Sequence, residues 1–126
     1  MKTIIQTSKA PTPIGPYNQA ILVDNTLYVS GQIALDPKTM KLVNRDIMVE
    51  TSQVMKNLSE VLKAAEMDFA DVVKTTIFLY DMKDFASVNE VYGSYFEHKV
   101  APARETVQVA ALPKNVRVEI SVIAVR

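Results

Sequence analysis

Arg104, in Pro102-Ala103-Arg104, and Glu119, in Val118-Glu119-Ile120, are the two side chains of this sequence best suited to act on a small anion. A guanidinium stays charged at any relevant pH and forks onto a carboxylate through two parallel hydrogen bonds. A carboxylate on the same hairpin activates a water. Together they suit a hydrolytic step on a substrate that carries a carboxylate. Alternation along residues 103–109 sends Arg104, Thr106 and Gln108 to one strand face, and Val107 and Val109 to the other. In the following strand Val118, Ile120, Val122 and Ala124 share a face, and Arg117, Glu119 and Ser121 share the opposite one. Leu112-Pro113-Lys114-Asn115 reads as the turn joining the two strands into a hairpin. A plainer reading stands beside this one: the polar residues form the wet side of two strands, where cross-strand ion pairs are common.

Three further residues have site-like settings. Gly31 lies mid-strand in Tyr28-Val29-Ser30-Gly31-Gln32-Ile33. A glycine there marks close approach of a ligand or another backbone, or else a bulge or tight packing. Tyr17 emerges from the stiff Ile14-Gly15-Pro16 segment, either as a pocket wall with a bonding hydroxyl or as core. Asn89 falls on the edge of a helical apolar stripe, four residues after Phe85 and three before Tyr92. Its amide needs partners, from the sheet backbone or from a ligand.

Composition closes other routes. The single histidine, His98, rules out a histidine pair, a Ser-His-Asp triad or a His-rich metal cluster within one chain. His98 reads as a surface residue just past a helix. Without cysteine there is no disulfide, no thiolate nucleophile and no thiolate metal site. Lys and Arg number 14 against 14 Asp and Glu, and they are scattered. A nucleic-acid binder normally carries a basic footprint, so this balance counts against that role. No apolar run is long enough to span a membrane, and the start lacks a signal-peptide pattern, so cytosolic residence is the expectation.

The elements that must position these residues follow from periodicity. Strands are expected at residues 3–6, 20–23, 27–33 and 72–80, followed by the hairpin. Asp24-Asn25-Thr26 reads as a hairpin turn, and the proline-rich 8–16 segment as an irregular loop. Asp46 caps a helix reaching about residue 66, with Thr51, Val54, Leu58, Val61, Leu62 and Ala65 as its stripe. Asp84 caps a second, whose stripe is Phe85, Val88, Tyr92, Tyr95 and Phe96. The order β-β-β-α-β-α-β-β in 126 residues is one α+β domain, a sheet with two helices. Two helices cover one face, yet Val73, Thr75, Ile77 and Leu79 alternate with Val72, Thr76, Phe78 and Tyr80. The uncovered face is an apolar patch that predicts a homo-oligomer.

In order along the whole chain, Ile14-Gly15-Pro16-Tyr17, Val29-Ser30-Gly31-Gln32-Ile33, residues 72–79, Val88-Asn89, Pro102-Ala103-Arg104, Val109-Ala110-Ala111-Leu112-Pro113 and Val118-Glu119-Ile120 resemble the YjgF/RidA family of reactive-intermediate imine deaminases. The resemblance implies a chorismate-mutase-like fold assembled as a homotrimer with clefts between subunits. It implies hydrolysis of 2-iminobutanoate and 2-iminopropanoate, released by pyridoxal-phosphate enzymes, to 2-oxo acids and ammonia. It implies no metal and no organic cofactor. By matching position, Arg104 clamps the substrate carboxylate and Glu119 positions and activates the water. Tyr17 and Asn89 line the cleft, and Gly31 and Thr106 offer backbone contacts. Two residues depart from the family pattern: Glu105 stands where a small residue is usual, and Thr106 where many bacterial relatives carry cysteine. Some family members are described as endoribonucleases or translation inhibitors, and a metabolite sensor or chaperone-like module is the non-catalytic alternative.

Overall fold

Six strands form one mixed sheet in the computed structural model, which describes residues 1–126. In chain order the elements are β1 (Lys2–Ile5), β2 (Ala20–Val23), β3 (Thr26–Gln32), α1 (Ile47–Ala64), β4 (Val72–Leu79), α2 (Phe85–Gly93), β5 (Ala103–Gln108) and β6 (Val118–Val125). Across the sheet they run β1-β2-β3-β6-β4-β5, and only β4 and β5 are parallel.

The expected hairpin between β5 and β6 does not form. β4 lies between them, pairing β5 on one side and β6 on the other. Burial explains the order. Thr75, Ile77 and Leu79 of β4 are fully inside, so that strand takes an interior place. β5 is exposed along nearly its whole length and carries Arg104 and Glu105, the kind of charged strand that ends a sheet. Residues 109–117, with a 3-10 turn at Pro113–Asn115, are therefore a crossing past the end of β4 rather than a tight turn. Lys114 and Asn115 both adopt left-handed backbone there, with φ of 54° and 56°.

Asp46 caps α1 as expected, its carboxylate accepting the Val49 N–H at 2.9 Å. The helix ends at a reversal in which the Glu66 N–H donates to Lys63 and the Met67 N–H to Leu62. Glu66 takes the left-handed conformation, φ 59°, that this reversal requires. The second helix differs from expectation. Asp84 occupies the cap position of α2 without a capping bond, because a 3-10 turn capped by Asp81 already feeds the helix. Tyr95 and Phe96 lie beyond its end at Gly93 and pack on Phe69 and Tyr92.

Both helices lie on one face of the sheet. Val54, Leu58, Val61 and Leu62 of α1 and Val88 and Tyr92 of α2 meet Leu27, Ile77, Leu79, Ile120 and Val122 in one core. The opposite face carries Tyr28, 50% exposed, Val73, 48%, and Val107, 43%. Phe78 pairs beside Val107, and Ile123 beside Tyr28, which extends the apolar surface. A register shift at Val72–Lys74 puts Val72 inside and Val73 outside, the reverse of simple alternation. Arg117 also departs from its expected face. It precedes β6 and turns back to Glu50 of α1, a carboxylate only 1% exposed that accepts the Arg117 backbone N–H at 2.8 Å and its Nε–H at 2.7 Å. No helix is long and apolar enough to cross a membrane.

Candidate functional site

The predicted residues, Thr106 excepted, fall into two separate half-sites. Tyr17, Gly31 and Glu119 line a cleft of about 350 Å³ with Pro11, Ile14, Ser30 and Pro113. Asn89 and Arg104 line a second depression of about 720 Å³ near the C-terminal end of α2. Register explains the separation. Arg104 pairs beside Thr75, which pairs beside Val122, and these share the helix-covered face. Glu119 pairs beside Phe78, itself beside Val107, on the open face. One strand and a change of face thus divide Arg104 from Glu119 of the same chain. The side-by-side placement expected from a hairpin is corrected on both counts.

In the first half-site, the wall is a loop knitted together by Gln19. Its buried amide accepts the Thr7 N–H at 2.7 Å and donates to the carbonyls of Thr7 at 3.0 Å and Pro11 at 2.9 Å. Ser30 fastens the end of that loop to β3, its hydroxyl donating to the Asn18 carbonyl at 2.6 Å. Tyr17 is 46% exposed, so it belongs to the cleft wall and not to the core. Its hydroxyl accepts the Ile14 N–H at 3.3 Å.

Gly31 sits where β3 carries one extra residue against β6, between the Val29–Val122 and Gln32–Ile120 pairs. A Cβ there would stand 2.8 Å from Cδ of Glu119 and 3.0 Å from its Cγ and Oε2. The close approach signalled by the glycine is thus made by the Glu119 side chain. Burial raises the pKa of that carboxyl, and no charge or hydrogen bond of the chain offsets it.

In the second half-site, Nη1 of Arg104 donates to Oδ1 of Asn89 at 2.5 Å. The Arg104 guanidinium carbon lies 5.1 Å from the ring centre of Tyr92 and 5.6 Å from that of Phe85. Asn89 is exposed, and its amide oxygen finds a partner in Arg104. Burial raises the Tyr92 phenol pKa, with the Thr75 hydrogen bond and the Arg104 charge pulling the other way. Thr106 lines neither hollow. Its side chain stands beside Ile77 on the helix face, with a buried hydroxyl that bonds to nothing in the chain. Glu105 points to the open face and pairs with Lys74 at 3.0 Å. No group of three or more His, Asp or Glu side chains gathers at metal-binding range.

Gln19, Ser30 and Phe85 were missed as site-building residues in the sequence. Phe85 carried one signal, its spacing to Asn89 and Tyr92 on a single helical face; Gln19 and Ser30 carried none.

The family model described as Endoribonuclease L-PSP matches residues 7–126. The chain belongs to this family, the YjgF/RidA family. It is 53% identical to the 2-iminobutanoate/2-iminopropanoate deaminase of Mus musculus, covering 100% of this chain and 93% of the mouse protein. Among crystal structures, RidA from Psychrobacter sp. superposes with a TM-score of 0.94 at 44% identity, covering 98% of this chain and 99% of that one. TdcF of E. coli, solved with bound serine, superposes with a TM-score of 0.92 at 40% identity, covering 98% of each chain.

Proposed function

We propose that this protein hydrolyses 2-iminobutanoate and 2-iminopropanoate to the 2-oxo acids and ammonia, in clefts built between copies of itself. The observation that carries the reading is the division of the site. Arg104 and Glu119 lie on opposite faces of one sheet, so a cleft using both draws them from two chains. The apolar open face, with Tyr28, Val73 and Val107 exposed, supports burial against neighbouring copies. A closed ring of such copies, a homotrimer in this reading, repeats one heterologous contact at every interface.

Each group then has a chemical task. Arg104 of one copy takes the substrate carboxylate. Glu119 of its neighbour, lifted toward neutral pH by burial, holds a water and accepts its proton as the oxygen attacks the protonated imine carbon. The C–O bond forms as the C=N bond becomes single. Glu119 returns the proton to nitrogen and then takes the hydroxyl proton as the C–N bond breaks, so the carbonyl forms and ammonia leaves, carrying that proton away as ammonium. An iminium carbon is already electrophilic, so orientation and base assistance supply the rate. Tyr17 and Asn89 line the cleft, and the backbones of Gly31 and Thr106 contact the substrate. The family's endoribonuclease description finds no charge support here, since basic and acidic residues balance.

The test generates 2-iminobutanoate in place with a threonine dehydratase and traps it with semicarbazide. Wild type is expected to suppress trapping and speed oxo-acid release, while Arg104→Ala and Glu119→Gln match the blank. Co-expressing these two inactive variants should restore about a quarter of the rate, the chance that an interface draws both intact halves. A wild type that matches the blank ends the deaminase reading. Active wild type with no restoration on mixing ends the shared cleft.

A further inference from the structure

We propose that Phe85 and Tyr92 are positioning residues for Arg104, forming with Asn89 an uncharged cradle that aims the guanidinium while leaving its charge for the substrate carboxylate. This rests on the reading of Arg104 as the carboxylate anchor. Residues 85, 89 and 92 are spaced i, i+4 and i+7, which places them on one face of α2. That face meets Arg104 at the edge strand, with one amide hydrogen bond and two ring contacts.

All three partners are neutral. The ion pairs of the chain are Arg45–Asp46, Lys63–Glu60, Lys74–Glu105 and Arg117–Glu50, and none involves Arg104. Glu105, the adjacent residue, is turned away by strand alternation and held by Lys74. Glu90 lines the same hollow without pairing to Arg104. A guanidinium has five N–H donors, and the chain uses one of them. Ring faces attract the cation without occupying the remaining donors.

The cradle is also stiff. Tyr92 is 5% exposed, and its hydroxyl donates to Oγ1 of Thr75 at 3.1 Å. Thr75 is the register partner of Arg104 on β4. The ring is therefore tied to the strand beside the one that carries the guanidinium. Phe96 packs on the same ring with centres 4.7 Å apart. A fork held in this way loses less freedom when an anion binds, so the benefit belongs to carboxylate affinity and not to the bond-making step.

The test compares 2-oxobutanoate with its uncharged analogue 2-oxobutanamide as competitive inhibitors of the trapping assay. Phe85→Leu and Tyr92→Leu are each expected to weaken the oxo acid about three- to tenfold. KM for the imine should rise in step, with kcat near wild type and amide inhibition unchanged. Tyr92→Phe keeps the ring and should change less than Tyr92→Leu. In an Arg104→Ala background, which has no rate to inhibit, 2-oxobutanoate binding is read directly by titration calorimetry, and neither ring loss should matter further. Equal weakening of acid and amide, or ring effects that persist without Arg104, overturns the cradle. Should Tyr92→Leu fail to fold, Phe85→Leu decides, since Phe85 is only partly buried. Arg104→Ala that binds the oxo acid normally overturns the anchor and the cradle together. Arg104→Ala that loses binding, beside silent ring variants, overturns the cradle alone.

Discussion

Glu119 lies across Gly31, so close that a Cβ on the glycine would meet its Cδ at 2.8 Å. The glycine is kept for space and not for backbone freedom, because no glycine of the chain has positive φ. Gly31→Ala should therefore fold and move the carboxylate. A displacement near 1 Å at a reacting group costs roughly 10²-fold in rate. The expected result is a fall of that order in kcat for 2-iminobutanoate, with secondary structure by circular dichroism unchanged. Near-normal kcat would mean that Glu119 reaches its water from another rotamer.

The burial of Glu119 also has a pH signature. Its folded pKa is raised above the ordinary carboxyl value of 4.5. A raised pKa contributes stability that is fully present below 4.5 and is lost as pH rises through the folded value. Glu119→Gln removes that dependence. The variant should unfold at higher denaturant than wild type at neutral pH, and the gap should close as pH falls below the ordinary carboxyl range. Activity runs the other way: wild-type kcat should drop as pH falls through the same raised value, because the base is lost. Parallel denaturation curves at several pH values check the first statement, and a pH–rate profile checks the second.

How much of this was legible in the sequence depends on the range of the interaction. The stripe Thr51, Val54, Leu58, Val61, Leu62 and Ala65 is buried throughout, and Asp46 caps its helix, because both are local consequences of helical geometry. The two faces of the β6 segment also followed from alternation, apart from Arg117. The neighbours of β5 did not, because alternation says which way a side chain points and nothing about which strand lies alongside. Insertion of β4 between β5 and β6 was therefore invisible, and with it the division of Arg104 from Glu119. Gly31 was conspicuous in the sequence, but the side chain it accommodates depends on a register shift between distant strands. Tyr92 read as core and is core; that its ring also carries a guanidinium required knowing that β5 lies beside α2.

Glu50 anchors the start of the strand that carries Glu119. Its carboxylate holds both the backbone and the guanidinium of Arg117, while Nη2 of Arg117 reaches the Asn44 carbonyl at 2.8 Å. Removing one partner of a buried pair strands the other. Glu50→Ala should destabilise by roughly 3 kcal/mol, at the low end for such a loss because the guanidinium still reaches solvent. Replacing both residues, as Glu50→Leu with Arg117→Met, should cost less than Glu50→Ala alone. Denaturant midpoints for Glu50→Leu, Arg117→Met and the double variant, beside Glu50→Ala, measure this, and additive losses of the two component singles would show that the pair is not coupled.

Thr106 separates a side-chain role from a backbone one. Its hydroxyl is buried without a partner, beside Ile77, and an unmet buried hydroxyl costs about 1 kcal/mol or more. Thr106→Val keeps the branched shape and removes the unmet group, so it should stabilise the fold by about 1 kcal/mol in denaturant titrations. If the substrate contact is made by the backbone, kcat and KM for 2-iminobutanoate stay at wild-type values. If the hydroxyl finds its missing partner in the substrate, the same variant gains stability and loses affinity, with KM rising about tenfold for one lost hydrogen bond.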